Sequence, residues 1–466
     1  MARERVLLTG ASGHMGYQAF LELLRRLDRY TVRLLLRPSR VNRTTFAQYA
    51  DRPGVEIVWG DITSAADTLR AVNGVDAILH PAALISPAAD HNPEMARRVN
   101  AGGMHNLIEA VRQQPNGPEE IRFVNVGSVA QYGDRLPPKE WIRAGDPLMP
   151  SVFDYYALTK CEAERSLIES GIEHWASLRQ TYIAIPDSLS LLDPIFFHQP
   201  IEQRIELITA RDAGFGLVQC LDVPSDFWRR IYNMSGGPKC RVRFLDYLEH
   251  MMGDVVGVGS YTQVFERNWF ALRNFHCGYY LDSGELNKYT GHFRDTLEDH
   301  FSQVDGAIAG WMKLGAKLAP SAVTKAVFHR MADPLRWVQK NETERIDAFF
   351  GSREAWEQIP GWGHGEDVTP PPSEPPPPVN SDALQDLEGY AKSRGGSCHS
   401  SAGGDPAALV DWRCGRGHDF QASPRLLILG GYWCPTCAPN VEDTSGWDYE
   451  QTSQHDPGLA SIYYKK

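Results

Sequence analysis

No apolar run in the 466 residues approaches the roughly 18 that a membrane span needs, so the sequence offers no transmembrane helix. Basic residues are in deficit: 47 Lys and Arg stand against 58 Asp and Glu, a net charge of −11, which argues against a nucleic-acid or other polyanionic partner. No internal repeat is present, which sets aside solenoid and propeller architectures. No secretory leader is expected. Arg3-Glu4-Arg5 precedes a short apolar run that leads straight into a glycine-rich turn, and cleavage there would destroy that turn. A reducing, cytoplasmic setting is therefore expected, in which the 8 Cys are thiols or metal ligands rather than disulfides. What remains, with 42% hydrophobic and 10% aromatic residues, is a globular chain long enough for two or more domains.

The most informative stretch is Val6-Leu7-Leu8-Thr9-Gly10-Ala11-Ser12-Gly13-His14-Met15-Gly16. An apolar strand runs into T-G-x-x-G-x-x-G and then into a helical pattern from about Tyr17. Glycines at such a turn let the backbone approach a pyrophosphate, and the following helix N-terminus offers free N–H groups and a positive dipole. Gly10, Ser12, Gly13, His14, Met15 and Gly16 are thus candidate dinucleotide contacts.

A second motif is Tyr156-Ala157-Leu158-Thr159-Lys160. Ala157, Leu158, Ala163 and Leu167, with no Pro or Gly before Gly171, predict a helix, and positions i and i+4 share one of its faces. Tyr156 and Lys160 then point into one cleft. Upstream, Ile121 to Ser128 reads as a buried strand ending on a serine, and ligands of open parallel sheets bind beyond strand carboxyl ends. An ammonium beside a phenol lowers its pKa. The expected roles are Tyr156 as acid–base residue, Lys160 as its pKa partner and ribose ligand, and Ser128 as hydrogen-bond donor to a substrate carbonyl, with a nicotinamide carrying the hydride.

In that order these motifs resemble the extended short-chain dehydrogenase/reductase family, which includes nucleotide-sugar epimerases and 3β-hydroxysteroid dehydrogenases. The likeness extends through Gly60-Asp61-Ile62, His80-Pro81-Ala82-Ala83, Val99-Asn100, Gln131-Tyr132-Gly133, Arg211-Asp212-Ala213, Ile231 to Gly237 and Tyr280 to Ser283. It implies an α/β fold: a Rossmann-type doubly wound parallel sheet with a small substrate-binding subdomain over residues 1–310. It also implies that Asp61 and Ile62 lie at the adenine, that Ala82 and Ala83 line the cofactor, that Asn100 holds the nearby backbone, and that the protein forms a homodimer. The chain departs from the family pattern after Arg179, where Gln180 replaces the usual Pro, and the later Gly-Pro is missing too.

The second predicted strand, Tyr30 to Leu36, is followed by Arg37, with Arg40 and Arg43 close behind, where an NAD site usually carries an acid for the ribose 2′-OH. A guanidinium suits a 2′-phosphate, so NADP(H) is expected over NAD(H). Residues 187–200 (Leu189, Leu191, Leu192, Phe196, Phe197) and Tyr261 to Tyr280 (Phe265, Trp269, Phe270, Phe275, Tyr279) are rich in apolar and aromatic side chains. They read first as core, and secondarily as the lining for an apolar or aromatic substrate. The expected function is NADP-dependent interconversion of a carbonyl and a secondary alcohol on a small molecule. The alternatives are a nucleotide-sugar epimerase or dehydratase with tightly bound NAD, and a dinucleotide-sensing interaction protein.

Beyond residue 310 the reading changes. Residues 311–365 look helical, as a cap on the first domain or a lid or membrane-surface element, and 366–382 form a Pro-rich linker. Residues 383–440 carry Cys398, Cys414, His418, Cys434 and Cys437 in the pattern G-G-x-C, W-x-C-x-x-G-H, W-C-P-x-C, which resembles small zinc-ribbon or treble-clef-like domains. Cys398, Cys414, Cys434 and Cys437 are the expected ligands of a structural zinc, with His418 as the alternative to Cys398. Five basic residues (Lys392, Arg394, Arg413, Arg416, Arg425) balance five acidic ones (Asp386, Glu388, Asp405, Asp411, Asp419), so a protein contact is expected of this module rather than nucleic acid. Residues 441–466 read as a loosely ordered polar tail.

Overall fold

The computed structural model describes residues 3–186, 194–363, 386–400 and 403–463. The apolar positions Leu189, Leu191 and Leu192 and the 366–382 linker lie outside the described residues.

Seven strands form one parallel sheet: β1 Glu4–Thr9, β2 Tyr30–Leu36, β3 Val55–Trp59, β4 Ala77–His80, β5 Arg122–Ser128, β6 Trp175–Gln180 and β7 Arg230–Met234. Their order is β7-β6-β5-β4-β1-β2-β3. The direction of winding reverses between β1 and β4, and the crevice beyond that point is where doubly wound sheets bind ligands. The helices that cover the sheet include α1 (His14–Leu24), α2 (Ala65–Val72), α3 (Gly103–Arg112), α4 (Tyr155–Ile168) and α5 (Ala210–Gln219).

Strand alternation divides the core into two layers. Val6 and Leu8 face α1 and α5 and pack with Met15, Ala19, Leu23, Ala213 and Leu217. Leu7 faces the other side, among Met104 and Leu107 of α3 and Ala163 and Leu167 of α4. Each such aliphatic side chain, fully buried, contributes about 1.5–3 kcal/mol. α4 starts where Asp154 accepts a hydrogen bond from the Ala157 N–H at 2.8 Å, an N-cap that fixes where Tyr156 falls on the first turn.

A smaller subdomain is built on Phe196, Phe197, Phe244, Phe265, Trp269 and Phe270, which meet largely edge to face. The aromatic segment of the sequence is thus mainly core. That core continues through Phe301 and Val304 into Phe328 and Leu335 of the helical extension.

The C-terminal module is a three-stranded antiparallel sheet of β8 (Ser397–Cys398), β9 (Val410–Arg413) and β10 (Asp419–Ala422). It docks on the first domain: Trp412, Ala422, Leu426 and Leu427 join the same apolar cluster as Leu107 and Leu167. The expected loose tail is instead ordered. Helices α6 (Tyr449–Ser453) and α7 (Pro457–Ile462) bury Tyr449 and Leu459 against Met149, and the Tyr449 hydroxyl donates to the Pro150 carbonyl at 2.6 Å. The physical reason is a buried ion pair, Arg394 with Asp456 at 2.7 Å, which fastens the last residues to the module.

Candidate functional site

The glycine turn joins β1 to α1 at the switch point. Gly10 has φ +62, and a Cβ there would come within 2.7 Å of the Ala82 backbone. A Cβ on Gly16 would lie 2.1 Å from the Gly10 carbonyl oxygen. Both positions therefore demand glycine, one for the turn and one for the close approach of helix to turn. Ser12, Gly13 and His14 are exposed at the α1 N-terminus, while Met15 and Gly16 are buried beneath it. This is a cradle of backbone N–H groups of the kind that holds a pyrophosphate.

The other expected cofactor positions fall around the same crevice. Asp61 and Ile62 follow β3; the Asp61 carboxylate accepts from the Thr63 N–H at 2.9 Å, and Ile62 packs against Gly103. Ala82 and Ala83 follow β4. Asn100 accepts from the Leu84 N–H at 2.7 Å and donates to the Leu84 carbonyl at 3.0 Å and to Thr159 Oγ1 at 2.9 Å, tying the β4 loop to α4. Arg37 is exposed directly after β2 and makes no ion pair among the described residues. Arg43 is engaged, stacked 4.8 Å from the Trp59 ring. These residues fit a dinucleotide.

Ser128 ends β5 and caps the next turn, accepting from the Ala130 N–H at 3.1 Å. Its hydroxyl acts on the Tyr156 phenol, pulling that group's pKa down. Burial pushes that phenol up to about 12, against the pull of Ser128. Lys160 is buried one turn further along α4, where its Nζ donates to the Val126 carbonyl at 2.6 Å. Burial pulls Lys160 down to about 8. Lys160 is thus held by the strand beneath it.

Several polar groups around these three carry no local sequence signal. His80 is buried at the end of β4, its Nδ1 2.8 Å from Thr9 Oγ1, and burial together with the Lys160 charge holds it down to about 3. Asp90 accepts from the Tyr156 N–H at 3.3 Å and is pushed up to about 6, first by burial and then by Asp154. His276 pairs with Asp154 at 3.1 Å. A cleft beside the α4 N-terminus is lined by Ser86, Asp90, Tyr155, Phe275, Arg345 and Phe349, so the helical extension forms one of its walls.

Below the site, Glu164 of α4 pairs with Arg179 at 2.7 Å, both fully buried. Burial alone would raise the Glu164 carboxyl, but Arg179, Ser177 and Gln131 hold it below its ordinary range. Gln131 bridges upward: it donates to Glu164 at 2.8 Å and accepts from the Ser128 N–H at 3.0 Å. Arg179 also donates to the Gly430 carbonyl of the C-terminal module at 2.7 Å.

In that module the structure brings together Cys414, His418, Cys434 and Cys437, all four ligand atoms lying within 4.8 Å of one another. His418 Nδ1 stands 3.5, 3.6 and 3.3 Å from the sulfurs of Cys414, Cys434 and Cys437, and Cys414 and Cys437 are 3.9 Å apart. Tetrahedral zinc with ordinary bond lengths requires about 3.6 Å between sulfur and nitrogen and about 3.8 Å between sulfurs. The donor set fits that ion. Cys398 is not part of the cluster, which corrects the four-cysteine expectation. It lies in β8 opposite Trp412, and its thiol turns to the Ser400 carbonyl at 3.1 Å.

The fold is a doubly wound parallel α/β sheet with a glycine turn at its switch point. The sequence model of the NAD dependent epimerase/dehydratase family matches residues 6–178. D-erythronate dehydrogenase of Cupriavidus necator is 32% identical over 139 residues, 28% of this chain and 41% of that protein. The 3 beta-hydroxysteroid dehydrogenase/Delta 5→4-isomerase of Mycobacterium tuberculosis is 31% identical over 179 residues, 36% of this chain and 44% of that protein. The chain thus spans about two fifths of the length of these relatives. In fold it is similar to dTDP-glucose 4,6-dehydratase from Bacillus anthracis, solved with NAD (TM-score 0.52, 14% identity, 65% of this chain and 96% of that one). It is also similar to the UDP-Glc/GlcNAc 4-epimerase of Campylobacter jejuni (TM-score 0.50, 16% identity, 65% and 99%). Among the described residues no helix is long and apolar enough to cross a membrane.

Proposed function

We propose that the protein is an NADP-dependent oxidoreductase that interconverts a carbonyl and a secondary alcohol on an apolar or aromatic small molecule. The observation that carries this reading is the placement of Ser128 at the carboxyl end of β5 with Tyr156 and Lys160 one turn apart on α4, the Lys160 Nζ held by Val126 of that same strand. A proton donor and a carbonyl-polarising hydroxyl would then serve the same substrate oxygen. Gly10, Ser12, Gly13, His14, Met15 and Gly16 would hold the pyrophosphate, Asp61 and Ile62 the adenine, and Ala82, Ala83 and Asn100 the cofactor wall. Arg37 would take the 2′-phosphate through a forked, charge-assisted pair. A bound NADP(H) supplies or accepts the hydride. Tyr156 gives or takes the proton at the substrate oxygen, Ser128 donates to that same oxygen, and Lys160 would hold the ribose and favour the phenolate.

The steroid dehydrogenase among the relatives supports an apolar substrate. The Cys414, His418, Cys434 and Cys437 set would hold one structural zinc with all four positions filled by protein. The test is a carbonyl screen with NADPH. Tyr156→Phe should abolish turnover while leaving NADPH binding within about twofold; undiminished turnover in that variant would refute the mechanism.

A further inference from the structure

The helical extension contains a hairpin held on one side only, whose outer apolar face is exposed among the described residues. Its first helix, Gly310–Leu318, has no buried residue at all. Trp311, Leu314 and Leu318 are 76%, 59% and 74% exposed, and their spacing puts them on one face. Ala319 and Pro320 lead into the second helix, Ser321–Met331. That helix is anchored by Phe328, buried edge to face against Phe265 at 4.9 Å. Val323 and Val327, one turn apart, point away from this anchor and are 55% and 48% exposed. Single exposed apolar residues are ordinary, but a run of five on one hairpin marks an interaction surface.

Charge identifies the partner. Residues 306–332 contain no Asp or Glu and four cations, Lys313, Lys317, Lys325 and Arg330, in a chain whose net charge is −11. Lys313 and Lys325 lean back onto Asp305 and Glu266. Lys317 and Arg330 form no ion pair among the described residues. On the first helix the lysines flank the apolar face, at about 200° and 240° from Trp311 for a 100° step. Trp and Leu on one face with Lys beside it is the arrangement of helices that lie in a lipid–water interface. An interface to another protein is depleted in Lys.

We propose that the Gly310–Met331 hairpin seats the protein peripherally on an anionic lipid surface. Trp311, Leu314, Leu318, Val323 and Val327 enter the headgroup region, and Lys317 and Arg330 meet lipid phosphates. This inference does not depend on the reaction proposed above.

The test is co-sedimentation of the full-length protein with vesicles of phosphatidylcholine alone or mixed with phosphatidylglycerol. Binding to the mixed vesicles is expected, weakening as salt rises. Lys317→Gln and Arg330→Gln should each lower partitioning roughly fivefold. The combined variant Trp311→Ser, Leu314→Ser, Leu318→Ser should lose binding with a nearly unchanged thermal midpoint, since these side chains are largely exposed. Protein left in the supernatant with mixed vesicles at low salt would overturn the proposal. So would a triple-serine variant that sediments like the parent, or one whose mass by light scattering falls by half, which would assign the face to a second copy of the chain.

Discussion

The Tyr432 hydroxyl shares its one proton between Glu164 Oε2 at 3.0 Å and the Cys161 carbonyl at 2.9 Å, and so joins the C-terminal Cys/His module to the helix that carries Tyr156 and Lys160. Tyr432 stands two residues before Cys434, and Gly430, which accepts from Arg179, lies two residues before Tyr432. From Glu164 the chain of hydrogen bonds runs through Gln131 to the backbone of Ser128. The module is therefore part of the support beneath Ser128 and the helix that carries Tyr156 and Lys160.

Tyr432→Phe removes one donor from a buried carboxylate already held by Arg179 and Ser177. A hydrogen bond to a charged group contributes about 1.5–3 kcal/mol, and that loss is expected in urea unfolding. Glu164→Gln, which leaves the Arg179 charge buried and unpaired, should cost more, about 3–5 kcal/mol. A Tyr432→Phe protein as stable as the parent would show that the contact is incidental.

Metal removal should act at the same place. Stripping the protein with a chelator is expected to lower its thermal midpoint and its kcat together, and zinc should restore both. His418→Ala should lose the metal, whereas Cys398→Ser should keep it, because Cys398 stands outside the cluster. Metal content by atomic absorption separates the two variants.

Stability should fall on mild acidification. His80 is held down to about 3, by burial and then Lys160, and His292 and His300 are held down to about 4 by burial. The unfolded chain takes up these protons near pH 6.5 and the native protein does not. Stability is then full above about pH 6.5 and is lost as the pH falls toward 4, by about 1.4 kcal/mol per pH unit for each histidine. Urea midpoints at pH 7 and pH 5 measure this; equal midpoints would contradict it.

Arg37 sets the cofactor prediction. Arg37→Ser should raise the Kd for NADPH at least about tenfold, the loss of one charge-assisted pair, and leave NADH binding nearly unchanged. Fluorescence titration with both nucleotides reads the difference.

Much of this arrangement was legible locally. The glycine turn announces itself because Gly10 and Gly16 sit where any Cβ would collide with backbone, and the 6-7-8 alternation of β1 assigns its neighbours to two layers. Ser128 and the Tyr156–Lys160 pair are marked by a strand end and a helical spacing. The docking of the module was not legible, because the contacts of Tyr432 with Glu164 and of Gly430 with Arg179 span more than 250 residues and leave no periodic trace. The tail misled for a similar reason: its polar composition suggested disorder, but Asp456 is spent on Arg394. His418 and Cys398 were both chemically acceptable ligands, and the fold of the β9–β10 turn decides between them.

Native mass spectrometry of the full-length protein, with NADP(H) and NAD(H) added in parallel, tests the central claim most directly. The expected result is one zinc per chain and a dinucleotide that exchanges freely, with NADP(H) retained at lower concentration than NAD(H). A stoichiometric NAD that survives purification and resists exchange would contradict it, placing the protein among enzymes that recycle their hydride on a bound cofactor.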